Sequence, residues 1–180
     1  MSSPSVVILV LAIFATLTDL LRGKIYNIMT FPAVLSGLIY SCAQDGLNGL
    51  AASLGAVTVA LLVFGVLYLL KVISAGDVKY LMALGAWGGV RFTLDVALLS
   101  LFIGGALAVV ILIVKKQMPS FLSKLRRLVL SLVVKELEVE IPKANEQLKM
   151  PYGVPMSTAA VLLLLKEPWM ENFMRILRPW

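Results

Sequence analysis

Long apolar runs, separated by short polar breaks, follow one another through most of this chain. Of its 180 residues, 60% are hydrophobic and 14% are charged, and the mean hydropathy is +0.96. The apolar share lies well above that of ordinary soluble domains. A run of about 20 apolar residues is long enough to cross a bilayer as a helix. The composition therefore predicts an all-α, polytopic membrane protein surrounded by a lipid bilayer.

The apolar runs predict about six transmembrane helices within one integral membrane domain, residues 1–180. The expected spans are 6–21, 28–42, 49–70, 78–87, 94–114 and 151–165. A short turn is expected at 43–48, and Gly88-Gly89 is expected to end the fourth span. Apolar residues at helical spacing within 117–135 predict an amphipathic helix in a cytoplasmic loop, 115–150, between the fifth and sixth spans. That helix would lie on the membrane surface or, as the alternative, dock a partner.

The basic residues predict how the protein is oriented in the membrane. The net charge is +6, and twelve of the sixteen lysines and arginines fall in or beside the loops after spans 1, 3 and 5. By the positive-inside rule, that side is cytoplasmic. Topology thus accounts for the basic charge, and no nucleic-acid partner is predicted.

The residue types present exclude several kinds of chemistry. The chain has no histidine and one cysteine, Cys42. A zinc site of the Cys/His kind, a disulfide within the chain and imidazole-based catalysis are therefore excluded. No metal and no cofactor is expected. The remaining candidates for acid–base catalysis are carboxylates, lysines and tyrosines.

Two aspartates lie at the ends of apolar runs, on the predicted cytoplasmic side. Asp19 closes the first run, and Asp77 follows Ser74-Ala75-Gly76 after the third. An acid at a membrane segment is a functional candidate. Two carboxylates held close together share one proton, so one can act as base and the other as acid in amide hydrolysis. Ion or proton movement and purely structural roles stay open, since Asp77 is placed as a helix N-cap and Asp19 follows a helix C-terminus, a poor place for an anion.

Three segments of the chain together resemble the type IV prepilin peptidases, which are intramembrane aspartyl proteases of the GxGD class. Residues 18–27 read Thr-Asp-Leu-Leu-Arg-Gly-Lys-Ile-Tyr-Asn and are similar to the family's first-aspartate segment. Residues 74–79 read Ser-Ala-Gly-Asp-Val-Lys and resemble its GxGD segment. Residues 150–155, Met-Pro-Tyr-Gly-Val-Pro, resemble the entry to its last helix.

The resemblance implies a catalytic pair, Asp19 and Asp77. It also implies a set of residues that shape the site: Ser74, Gly76, Lys79, Arg22, Lys24, Asn27, Tyr152 and Gly153. For Lys79 the alternative role is an anchor to lipid headgroups, and for Tyr152 and Gly153 it is a plain helix-entry turn.

The chain departs from the family pattern in three respects. Ser74 stands where the first glycine is expected, and a positive φ there would strain a serine. Tyr26 stands where a proline is expected. The cytoplasmic domain with paired cysteines found in bifunctional relatives has no counterpart between Asp19 and the second span. The chain therefore resembles the short, peptidase-only branch of tight-adherence (Flp) pilus systems, without N-methyltransferase activity.

The function implied by the resemblance is removal of a basic leader from a type IV prepilin or pseudopilin precursor. Cleavage would follow a glycine, at the cytoplasmic face of a prokaryotic inner membrane. Archaellin-type or competence precursors are alternative substrates. The rival outside the proteases is a non-enzymatic membrane protein, either a proton-coupled carrier or a pilus or secretion assembly subunit. The carrier is disfavoured because the sequence shows no inverted repeat.

Overall fold

The structure, a computed structural model, describes residues 3–114 and 152–177, and side chains up to residue 166. These residues contain four helices. They are α1 (Ser3–Arg22), α2 (Asn27–Leu69), α3 (Ala75–Val114) and α4 (Gly153–Leu177). The predicted all-α class is confirmed for these residues. The amphipathic helix predicted within 115–150 lies outside them.

Three of the helices, α1, α2 and α3, are long and apolar enough to cross a membrane, and α4 contains a shorter apolar stretch, Gly153–Lys166. The outer surface carries large apolar side chains, among them Ile28, Leu47 and Phe102, each at least 76% exposed. Soluble monomers rarely expose apolar surface on this scale. The protein is therefore a membrane protein. The count of six spans stays a prediction.

The longest helix, α2, is a helical hairpin. Asp45 (φ −125°, ψ 17°) and Gly46 (φ 59°, ψ −138°) interrupt its helical backbone. On either side of this break, Gly37 and Ser53 both reach Ala86: a Cβ on Gly37 would lie 2.8 Å from the Ala86 Cβ, and the Ser53 hydroxyl donates to the Ala86 carbonyl at 2.8 Å. Along a straight helix, Gly37 and Ser53 would be about 24 Å apart. The chain therefore reverses at Asp45-Gly46, within the predicted turn at 43–48.

The next helix, α3, folds back in the same way at Gly89, whose φ of 79° and ψ of 177° are not helical. A Cβ on Gly85 would lie 2.6 Å from the Thr93 Oγ1, although a straight helix would separate the two residues by about 12 Å. Glycine suits Gly89 because side chains disfavour a positive φ. The break in the helix at Gly89 lies where the fourth span is predicted to end, at Gly88-Gly89. The helix begins at Ala75, earlier than the predicted Val78.

By contacts between residues, the chain divides into two compact units, 1–103 with 151–180, and 104–150. The structure describes residues 104–114 of the second unit, which form the last part of α3. In the first unit, α1 packs against α4, and many core residues are alanines: Ala12, Ala15, Ala56, Ala60, Ala83, Ala159 and Ala160. Small side chains let membrane helices approach closely. The single domain over 1–180 stays a prediction.

One buried polar contact joins α3 to α4 within this core. The Tyr80 hydroxyl lies 2.9 Å from the Ser157 Oγ, and both residues are buried. A polar group in a membrane core needs such a partner, because lipid offers it no hydrogen bond. The contact fixes the start of α4 beside the start of α3.

Candidate active site

Asp77 lies in the first turn of α3 and is held by the serine that precedes this helix. Its Oδ2 accepts hydrogen bonds from the Ser74 N–H and from the Ser74 hydroxyl, each at 2.8 Å. In return, the Asp77 N–H donates to the Ser74 carbonyl at 3.1 Å and makes a longer contact of 3.4 Å to the Ser74 Oγ. These reciprocal bonds form a capping box. Ser74 is therefore the N-cap of α3, and Asp77, the third residue of the helix, places a carboxylate at the edge of a membrane segment.

Asp19 lies in the last turn of α1, where the helix dipole disfavours an anion. A second helix offsets this. The Asp19 Oδ2 accepts a hydrogen bond of 2.6 Å from the N–H of Gly153, the first residue of α4. Free N–H groups at a helix N-terminus stabilise anions. Both aspartates are thus bonded at helix N-termini, and both are buried, Asp19 at 6% and Asp77 at 5% exposed.

The two aspartates belong to one cluster, which Ile25 of the loop between α1 and α2 joins. A Cβ on Gly76 would lie 3.2 Å from the Ile25 carbonyl oxygen, and a Cβ on Gly153 would lie 3.1 Å from the Ile25 Cδ1. Gly76 precedes Asp77, and Gly153 bonds Asp19, so Ile25 contacts the neighbours of both acids. The Asp19 carboxylate also lies near enough for its charge to act on Asp77. The structure therefore brings the two predicted residues together.

The model of one protein family matches residues 6–109, more than half of the chain, and that family is the type IV leader peptidases. The matched region includes most of α1, all of α2 and both aspartates. This chain belongs to the type IV leader peptidase family. Membership indicates a protease of the leader peptidase kind. No curated protein and no solved structure gives a significant match.

In this leader peptidase, the two residues predicted at the entry to the last helix lie beside the aspartates. Gly153 bonds Asp19, and a Cβ on Gly153 would lie 2.7 Å from the Asp19 Oδ2. The Tyr152 ring packs edge-on against Phe64, with ring centroids 5.9 Å apart. Tyr152 is therefore partly buried against the core of the first unit, at the entry to α4.

The predicted basic residues lie at the rim of this cluster, where they order the loop between α1 and α2. Arg22 donates to the Tyr26 hydroxyl at 3.1 Å, and its guanidinium lies 5.7 Å from the centre of the Tyr26 ring. Lys79 donates to the Asn27 Oδ1 at 3.0 Å and lies over the Phe31 ring. These contacts join α1 and α3 to the start of α2. Lys24 is exposed.

The two single-residue departures from the family pattern, Ser74 and Tyr26, are accommodated locally. Ser74 does not take a positive φ; among the described non-glycine residues, that conformation belongs to Lys71 at 58°. The serine is therefore unstrained. Tyr26, in place of proline, precedes α2, and its carbonyl accepts hydrogen bonds from the Met29 and Thr30 N–H groups. The contact with Arg22 holds its side chain.

One residue of the cluster was not singled out by its sequence pattern. Ile25 lies between the first two predicted spans and is 9% exposed. The available signal was that Ile25 is an isolated apolar residue between Lys24 and Tyr26 in a polar loop, which favours an inward-pointing side chain. Ser157, the partner of Tyr80, had no comparable signal.

Proposed function

We propose that this leader peptidase is a membrane-embedded aspartic endopeptidase whose catalytic pair is Asp19 and Asp77. The observation that carries the proposal is that two buried carboxylates from distant parts of the chain converge on Ile25. A buried acid in a membrane protein costs free energy and is a functional candidate. Each of these acids is held at one oxygen by hydrogen bonds from a helix N-terminus.

The proposed chemistry is hydrolysis of a peptide bond without a covalent intermediate. The pair shares one proton. The charged carboxylate takes a proton from a water molecule, which attacks the scissile carbonyl carbon. The neutral carboxylic acid donates its proton to the carbonyl oxygen, which gives a tetrahedral intermediate. As the C–N bond breaks, the first carboxyl group returns its proton to the leaving nitrogen, and the second takes a proton back from a hydroxyl of the intermediate, so that the pair again shares one proton.

The proposed substrate is a type IV prepilin or pseudopilin precursor with a basic leader followed by an apolar helix. The enzyme removes the leader by cutting after a glycine at the cytoplasmic face of a prokaryotic inner membrane, through which it passes about six times. Support for this orientation comes from the basic residues Arg22, Lys24 and Lys79, which lie on the same side as both acids. We place the enzyme in the peptidase-only branch of Flp pilus systems, without N-methyltransferase activity.

The test is cleavage of a prepilin-like substrate by the protein in membranes. Asp19→Asn and Asp77→Asn each lower cleavage at least about 100-fold, because neither variant can complete the proton transfers. Asp95→Asn is the matched control, since Asp95 is exposed on α3, and it keeps wild-type cleavage. Release of the leader is followed by mass spectrometry, which also identifies the bond that is cut. Full cleavage by Asp77→Asn would exclude the pair.

A further inference from the structure

Ser74 contacts the Asp77 carboxylate more closely than it contacts the backbone that it caps. Its hydroxyl and its N–H each lie 2.8 Å from the Asp77 Oδ2, whereas its Oγ lies 3.4 Å from the Asp77 nitrogen. We propose that Ser74 is a positioning residue, whose hydroxyl holds the Asp77 carboxylate in its reactive orientation. This inference rests on the proposed function.

An ordinary N-cap predicts a different set of distances. A capping serine uses its Oγ as an acceptor for a free N–H group of the first turn. Here that contact is the longest of the three, whereas the contact in which the hydroxyl donates its hydrogen to the carboxylate is 2.8 Å. Hydrogen bonds to charged groups are shorter and about twice as strong as neutral ones. The geometry therefore favours orientation of Asp77 as the main task of the hydroxyl.

Holding one oxygen of Asp77 leaves the other for the reaction. Within the described part of the chain, the hydrogen bonds to the Asp77 side chain end on Oδ2. Asp19 is likewise held through its Oδ2, which accepts the Gly153 N–H. Asp77 thus has a fixed oxygen, Oδ2, and a second oxygen, Oδ1, for water, substrate or the shared proton. Fixed geometry of this kind lowers the reorganisation needed in the transition state.

Among the residues that the structure describes, the titratable groups that interact with Asp77 come from two neighbouring elements. Asp19 approaches from α1, and Tyr152 lies directly before α4. The nearest lysine along α3, Lys79, donates to Asn27. Ser74 therefore supplies the side-chain hydrogen bond that favours the charged form of Asp77.

Three substitutions separate orientation from capping. Ser74→Gly removes the hydroxyl but keeps a residue that caps helices well, at a cost of a few tenths of a kcal/mol relative to serine. Ser74→Ala removes both the hydroxyl and the cap. Ser74→Thr keeps a hydroxyl. All three keep the backbone N–H that also bonds Asp77.

The experiment measures kcat, KM and the pH profile of prepilin cleavage for the wild type and these variants, with thermal unfolding in detergent as the folding check. We expect Ser74→Gly and Ser74→Ala to lower kcat about tenfold with KM within about twofold, and Ser74→Thr to restore kcat. The limb of the pH profile that reports Asp77 moves to higher pH in the glycine and alanine variants, because a donor to the charged form is lost.

Two results would overturn the inference: a folded Ser74→Gly with wild-type kcat and pH profile, or a change in KM alone. The wild type and Asp77→Asn, run beside the series, keep this test separate from that of the proposed function. If Asp77→Asn cleaves normally, the catalytic pair fails. If it does not cleave and Ser74→Gly equals wild type, only the role of Ser74 fails.

Discussion

The two candidate acids are held in place over very different distances along the chain. The hydrogen bonds of Asp77 come from Ser74, three residues earlier, so a single capping box sets its position. The hydrogen bond of Asp19 comes from Gly153, 134 residues later. The first arrangement is complete once α3 begins. The second exists only after α1 has packed against α4.

This difference indicates which half of the site depends on tertiary packing. A capping box is local, and it needs only the correct residue at each position. The contact between Asp19 and Gly153 depends on the packing of α1 against α4, which small residues allow to be close. The Tyr80–Ser157 hydrogen bond in turn fixes α4 against α3. We therefore expect changes along α4 to affect catalysis through Asp19, and changes before α3 to affect it through Asp77.

The strongest test of this comparison is Gly153→Ala. A Cβ at this position would lie 2.7 Å from the Asp19 Oδ2 and 3.1 Å from the Ile25 Cδ1, so α4 or the carboxylate has to move. Misplacement of a catalytic group by about 1 Å costs about 100-fold in rate, and we expect cleavage to fall by that factor. Gly105→Ala is the control, because a Cβ there meets nothing within 4 Å. More than half of wild-type cleavage in Gly153→Ala would contradict the tight packing at Asp19.

A moderate effect is expected from Ser157→Ala, which removes the buried partner of the Tyr80 hydroxyl. A buried hydroxyl without a partner costs about 1–3 kcal/mol, so the free energy of unfolding falls by that amount. Thr158→Ala is the matched control, since its hydroxyl is exposed and bonds the Val154 carbonyl of its own helix. Thermal unfolding in detergent compares the two. Equal stability of the two variants would show that the contact does not fix α4.

The smallest effect is expected from Asn27→Ala, which removes the hydrogen bond from Lys79 at the exposed rim. Exposed polar contacts of a lysine contribute well under about 1 kcal/mol. Lys79 also keeps its contact with the Phe31 ring. Cleavage within about twofold of wild type is the expected result in the same assay. A tenfold loss would instead place the link between Lys79 and Asn27 inside the working site.

Both chain reversals in the long helices were predictable, because glycines mark them. Gly46 lies in the predicted turn at 43–48, and Gly89 closes the predicted fourth span, and both take a positive φ. The predicted start of α3, at Val78, lies three residues after the observed start at Ala75, because Ser74 and Asp77 form a capping box that begins the helix earlier. Ile25 and Ser157 were missed because a single residue in a loop or on an apolar helix carries no periodicity.

The sequence by itself determined the features that depend on near neighbours. Its apolar runs determined that the protein is helical and lies in a membrane, and its glycines determined where the long helices reverse. The spacing of Ser74 and Asp77 determined the hydrogen bonds that hold the Asp77 carboxylate. Only the tertiary structure decided how Asp19 is stabilised. The dipole of α1 disfavours a negative charge at its C-terminal end. The N–H of Gly153 at the start of α4, 134 residues later, offsets this by donating a hydrogen bond to the Asp19 carboxylate. Such a contact arises from helix packing, which no spacing along the chain encodes.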